Sequence, residues 1–280
     1  MTSLRGRPGG FTTSTNRSGV VERVRRVWEY RRILALLISR DLKVRYAGSA
    51  LGYVWSILDP LLMSAVYWVV FTKIFTRSVG YEPYIVFLLS GQLPWQWFNM
   101  GVTSASRALR TDAQMVRSTN VPRELWIVRN VASSGVQYLL SLPVLAAFAI
   151  ATQAAPNIDI LLMPLAILLQ TVLLIGIGLC LAPVTVLVRD VERLVRIALR
   201  IGFYVSPVIY SVNDAKRLKK LHDVFSWNPM AGILTLYRSA FFPQELHWNY
   251  VFHSSIVCSA TLAVGLFVFA RLERPVLKEL

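Results

Sequence analysis

From residue 51 onward the chain alternates apolar runs of nearly bilayer length with short segments bearing arginine and lysine. A helix needs about 20 predominantly apolar residues to cross a bilayer. Only helices and closed barrels satisfy their backbone hydrogen bonds inside lipid. Repeated runs of this length predict an all-α polytopic membrane protein. Composition agrees: 55% of the 280 residues are hydrophobic and the mean hydropathy is +0.50, well above an ordinary soluble domain.

Six spans are expected. They cover about 51–75, 84–106, 130–152 and 160–188, a fifth beginning near Leu194, and a sixth over 250–270. The fifth is the hardest to place, because strictly apolar residues run only from Ile201 to Tyr210. Between the fifth and sixth, Asn228-Pro229 and Arg238 point to two short segments, within 213–243, that dip in and return. Before the spans, residues 1–19 read as a disordered cytosolic tail with no apolar core of a signal peptide. Residues 20–50 contain a basic amphipathic helix over 20–46 that suits the headgroup plane or the surface of a partner. Residues 51–280 then form one transmembrane domain of six helices.

The charges orient this arrangement. Of the 30 Lys and Arg, 23 fall on the side holding both termini and 7 on the other. The positive-inside rule places both ends in the cytosol. Dispersal of the basic residues among apolar runs disfavours a nucleic-acid surface. Cys180 and Cys258 each lie in an apolar run and read as buried thiols. His222, His247 and His253 have no metal-ligand spacing, so neither a metal nor a catalytic residue is expected. No G-x-x-x-x-G-K-[ST] loop is present, and no means of hydrolysing ATP is visible.

Several residues invite a functional reading. Arg189, Arg193, Arg196 and Arg200 recur at spacings of four, three and four, hence on one helix face. They suit an anionic diphosphate, or snorkelling to lipid phosphates. Tyr53, Trp55, Tyr67, Trp68 and Phe71 in the first span, with Phe203, Tyr204 and Tyr210 in the fifth, are candidate cavity-lining rings or belt residues. Asp59, directly before Pro60 inside an apolar run, is costly there. It reads as a helix restart or as a carboxylate facing a watery cavity. Val121-Pro122-Arg123-Glu124-Leu125 reads locally either as a loop with the cap of the next helix or as a rigid, charged anchor.

Three stretches carry a family resemblance: RDLKVRYAGSALGYVWSILDPLL at 40–62, MVRSTNVPRELWIVRN at 115–130, and VRDVERLVRIALRIGFYVSPVIY at 188–210 followed by WNPM. Their order and spacing resemble the membrane subunit of type-2 ABC exporters of O-antigen, teichoic acid and related lipid-linked polysaccharides. The arginine-rich composition is similar to the mycobacterial galactan branch. The resemblance implies a homodimer of six-helix permeases above two copies of a separate ATPase, which carries Mg-ATP. It implies an interface helix at 20–46, a coupling helix near Asp112–Val121 and re-entrant helices before the last span. Coupling contacts then fall on Asp112, Met115, Val116, Arg117, Ser118, Asn120, Pro122, Arg123 and Glu124. A carboxylate at Asp59 departs from the family pattern. A drug or lipid exporter and a membrane-embedded glycan- or lipid-modifying enzyme remain as alternatives; the enzyme would need an acidic or histidine cluster at one membrane face.

Overall fold

The computed structural model describes residues 20–49, 51–70, 81–216 and 225–279. Among them there is no strand. The helices are α1 (Val20–Glu29), α2 (Arg31–Tyr46), α3 (Trp55–Val69), α4 (Tyr84–Ser106), α5 (Ala108–Thr111), α6 (Ala113–Ser118), α7 (Glu124–Ala151), α8 (Met163–Leu187), α9 (Val191–Val205), α10 (Val212–Lys216), α11 (Pro229–Ser239) and α12 (Trp248–Glu279). The segments 1–19, 71–80 and 217–224, on which the tail, Phe71 and His222 fall, lie outside the described residues.

Three helices in this set are long and apolar enough to cross a bilayer: α7, α8 with the 3-10 turn before it, and α12. Helix α8 sits centrally, packed against α12, α4, α7 and α11. Its approach to α12 is close because two glycines face each other. A Cβ on Gly265 would overlap the carbonyl of Gly176, and one on Gly176 would lie 2.7 Å from the Leu262 nitrogen. Small residues at a crossing let backbones meet and gain dispersion contacts where lipid offers no hydrophobic drive.

Local sequence sets the element ends. In α11 the Asn228 side chain accepts from the Met230 N–H and Pro229 occupies the first turn, a combination that starts helices efficiently. Every residue from Met230 to Ser239 is buried, so this short helix is a core element. Helix α4 spans the expected 84–106 and continues through Pro94.

Three expectations need correction. Residues 20–46 form two helices that part at Tyr30. Only α1 is strongly amphipathic; α2 lies against α7 and packs Leu37 on the core, while Ile33 and Leu36 stay exposed. Helix α3 begins at Trp55 and runs through Asp59 and Pro60, so Asp59 caps nothing. The Ser64 hydroxyl donates to the Pro60 carbonyl at 2.5 Å. Helix α9 stops at Val205 instead of reaching Tyr210, because the following Ser206-Pro207 forces extended backbone. Fifteen residues of helix span about 22 Å, short of the bilayer core.

Candidate functional site: an aromatic and amide-lined cavity

Helices α3, α4, α7 and α9 surround a cavity of about 900 Å³. Each contributes a stripe at helical spacing. From α3 come Trp55, Asp59, Met63 and Tyr67; from α9 Arg196, Leu199, Arg200, Phe203 and Tyr204. Helix α4 presents Gln92, Gln96, Asn99 and Thr103, with Trp95 and Trp97, and α7 adds Gln137, Tyr138 and Ser141. Arg45, from the end of α2, completes the wall.

The rings are held by one another. Trp97 stacks on Tyr138 at 5.1 Å, with planes 14° apart. Trp95 meets Phe203 edge-on at 5.8 Å, and Phe203 meets Tyr204 at 5.2 Å. Gln92 Nε2 donates to the Tyr67 hydroxyl at 3.3 Å. Arg45 Nη1 donates to Gln137 Oε1 at 2.5 Å. In contrast, Asp59, Arg196 and Arg200 are exposed and have no hydrogen-bond or ion-pair partner among the described residues. The wall therefore offers three kinds of contact: flat apolar ring faces, amides that both donate and accept, and free guanidiniums that grip phosphate bidentately.

The sequence candidates divide. Trp55, Asp59, Tyr67, Phe203, Tyr204, Arg196 and Arg200 line the cavity. Trp68 is exposed on another face of α3, and Tyr210 turns back to donate to the Val205 carbonyl at 3.0 Å. Tyr53 falls in the 3-10 turn Gly52–Val54. Arg189 and Arg193 are exposed outside the wall. The amide stripe of α4, with Arg45, Gln137 and Tyr138, was missed. Its signal was present in GQLPWQWFNM: polar residues at i, i+4 and i+7 in an apolar helix mark a polar-facing side.

Two charged clusters flank the cavity's helices. At the end carrying α2, α5 and α6, here called the base, Arg129 of α7 is buried between two carboxylates. Its Nε is 2.7 Å from Asp41 Oδ2 and its Nη2 3.0 Å from Asp112 Oδ2. Arg40 Nη2 lies 3.5 and 3.9 Å from the same two carboxylates. Arg110 pairs with Glu192 at 2.7 Å and Arg123 with Glu273 at 2.5 Å. Of the coupling candidates, Met115, Arg117, Ser118 and Asn120 are exposed on or just after α6, Val116 is buried, and Pro122, Arg123 and Glu124 are half-buried at the foot of α7.

At the opposite end, the cap, Arg238 and Glu245 are both fully buried. Arg238 donates to the carbonyls of Val208 and Tyr210 at 2.6 and 2.9 Å and lies 3.9 Å over the Phe87 ring. Glu245 Oε1 accepts from Tyr81, Ser211 and Asn213. The two charges are 3.7 Å apart. Among the described residues no group of His, Cys, Asp and Glu is placed to hold a metal ion.

A model of the ABC-2 type transporter family matches residues 33–242. The chain is 30% identical over 242 residues to the O-antigen export system permease protein RfbA of Klebsiella pneumoniae, covering 86% of this chain and 92% of that protein. It is 28% identical over 227 residues to RfbA of Myxococcus xanthus, 81% and 86% of the two chains. It is 22% identical over 246 residues to the polysialic acid transport protein KpsM of Escherichia coli, 86% and 93% of the two.

Proposed function

The chain belongs to the ABC-2 type transporter family, and on that premise we propose that it is the membrane-spanning permease subunit of an ATP-driven exporter of a lipid-linked polysaccharide, of the galactan or O-antigen kind. The subunit is a multi-pass plasma-membrane protein of six membrane-inserted segments, the fifth of which, α9, is short of the bilayer core, with both termini in the cytosol. It works as a homodimer with two copies of a separate ATPase that binds Mg-ATP. The similarity to O-antigen export permeases supports the substrate class.

One observation carries the reading: a single cavity joins free arginines to ring faces and amides. Arg196 and Arg200 take the anionic diphosphate of the lipid anchor. Sugar rings, whose C–H faces are apolar, slide over Phe203 and Tyr204, which Trp95 backs, while their hydroxyls exchange hydrogen bonds with Gln96 and Asn99. Such contacts are individually weak and numerous, which suits a polymer that must move through.

The test is export in the native cell. Replacing both Arg196 and Arg200 by Gln is expected to cut surface glycan about tenfold, the cost of a lost charge-assisted contact, with lipid-linked glycan accumulating inside. Asp59→Asn is expected to alter export while leaving assembly intact. Normal export by the double Gln variant would refute the assignment of the arginines; purification without any nucleotide-binding chain would refute the motor arrangement.

A further inference from the structure

The arginine end of the cavity and the base share one residue, and that residue belongs to α2. Arg45 lines the main cavity and also a second, smaller one of about 300 Å³, which Asp41, Arg129 and Ser133 line with it. Asp41 and Arg45 are one turn apart on α2; Arg129, Ser133 and Gln137 are successive turns of α7. The two helices are zipped in register. Asp41 meets Arg129 at 2.7 Å and accepts from Ser133 at 3.3 Å, and Arg45 holds Gln137 at 2.5 Å. At the foot of the zipper Arg129 reaches Asp112, the residue immediately before α6.

We infer that Arg129 is a positioning residue that relays occupancy of the cavity by a diphosphate to the α5–α6 segment, through Arg45 and Asp41 on one side and Asp112 on the other. The inference rests on the reading of the cavity given above. Arg45 is the one cavity guanidinium already engaged, and its partner is a neutral amide. A diphosphate is the better acceptor, so binding draws Arg45 from Gln137 and shifts the end of α2. Asp41, one turn away on the same helix, moves with it.

Arg129 suits a relay because of how it is held. Its Nε and Nη2 sit at ion-pair distance from the two carboxylates but off the hydrogen-bond line, and its buried Nη1 has no hydrogen-bond partner. Coulomb attraction falls only slowly with separation, whereas an aligned hydrogen bond fails within a fraction of an ångström. The cluster can shear without coming apart, and Nη1 is a spare donor for the shifted arrangement. Coupling is a property of two sites together, so the test reads both ends.

The full-length chain is placed in lipid nanodiscs with Cys180→Ala, Cys258→Ala and Arg117→Cys, which puts a single thiol on the exposed face of α6. Binding of a polyprenyl diphosphate is followed by quenching of the cavity tryptophans, with inorganic diphosphate as the second arm. Quenching by both assigns the site to the diphosphate itself; quenching by the lipid alone assigns it to a headgroup presented from the membrane. In the parent protein saturation is expected to change the thiol-labelling rate about fivefold, the low end of ordinary coupling between sites. Asp112→Asn and Arg129→Gln are expected to return that ratio to about one while the quenching midpoint moves less than about twofold. A fivefold change that survives both substitutions overturns the relay, as does quenching in the parent without any labelling change. Absence of quenching by either probe refutes the diphosphate reading of the cavity, and the relay with it.

Discussion

The base and the cap each bury an arginine against carboxylate, and they do so in opposite ways. At the cap, Arg238 spends both terminal nitrogens on backbone carbonyls, lies on an aromatic face, and faces a carboxylate whose Oε1 accepts from two hydroxyls and an amide, leaving Arg238 Nε and Glu245 Oε2 without a hydrogen bond. At the base, Arg129 also lies over a ring, that of Trp126, but touches its two carboxylates without aligned hydrogen bonds, and solvent reaches both Asp41 and Arg40. A buried charge is tolerated when directional bonds replace its water. The cap meets that condition largely with fixed partners and is therefore rigid. The base meets it with Coulomb attraction and partial hydration and is therefore able to yield.

The sharpest way to break this contrast is to remove one partner from each. Arg238→Met leaves Glu245 buried without its cation and is expected to cost about 3–5 kcal/mol, read as the shift in an unfolding titration in detergent. Restoring neutrality with Glu245→Gln in the same chain should recover much of the loss. Next comes Gly91→Ala. A methyl there would lie 2.7 Å from the Val208 carbonyl and 2.8 Å from Arg238 Nη2, so it pushes on the clamp without removing a charge. The expected cost is about 1–3 kcal/mol, as for overpacking elsewhere. If Gly91→Ala were neutral, the cap would not be the tightly fitted element described.

At the base, Asp112→Asn should cost less, about 1–2 kcal/mol, because Arg129 keeps Asp41 and the site is partly hydrated. A loss equal to that of Arg238→Met would erase the distinction between the two ends.

How much of this was legible beforehand depends on the range of the interactions. Helix α4 was placed at Tyr84–Ser106, since a polar flank and an apolar run are local signals. The arginine row of α9 was legible because helical periodicity is local too, and two of its members, Arg196 and Arg200, reach the cavity. The end of α9 was misplaced because hydropathy continues to Tyr210 while the backbone is turned by Ser206-Pro207. Arg238 was read as an obstacle to a seventh span, and it lies on the 11-residue α11. Its surroundings were not legible, since Tyr81 with Phe87, Val208, and Glu245 come from three separate parts of the chain. Arg129 was counted only as one more basic residue on the inner side. Nothing near it in sequence reveals Asp41 or Asp112, because the pairing exists only once α2 is laid along α7. The amide stripe was available and unused: attention fell on the rings, and Gln92, Gln96 and Asn99 carry the quieter half of the pattern.

The smallest expected effects come from the two outlying straps of the base. Arg110–Glu192 ties α5 to the start of α9, and Arg123–Glu273 ties the foot of α7 to α12. Both pairs are partly exposed, so water and salt screen them, and each is worth under about 1 kcal/mol. Raising ionic strength from about 0.05 to 0.5 M contracts the Debye length to a few ångströms. It should weaken these straps measurably while leaving the cap untouched. Glu192→Gln then separates stability from motion: unfolding should move by less than about 1 kcal/mol, and the salt dependence of thiol labelling on α6 should shrink. If salt changed labelling on α6 as strongly in Glu192→Gln as in the parent, the strap would be a surface contact without a part in holding α5 and α6 to α9, and the yielding of the base would rest on Arg129 alone.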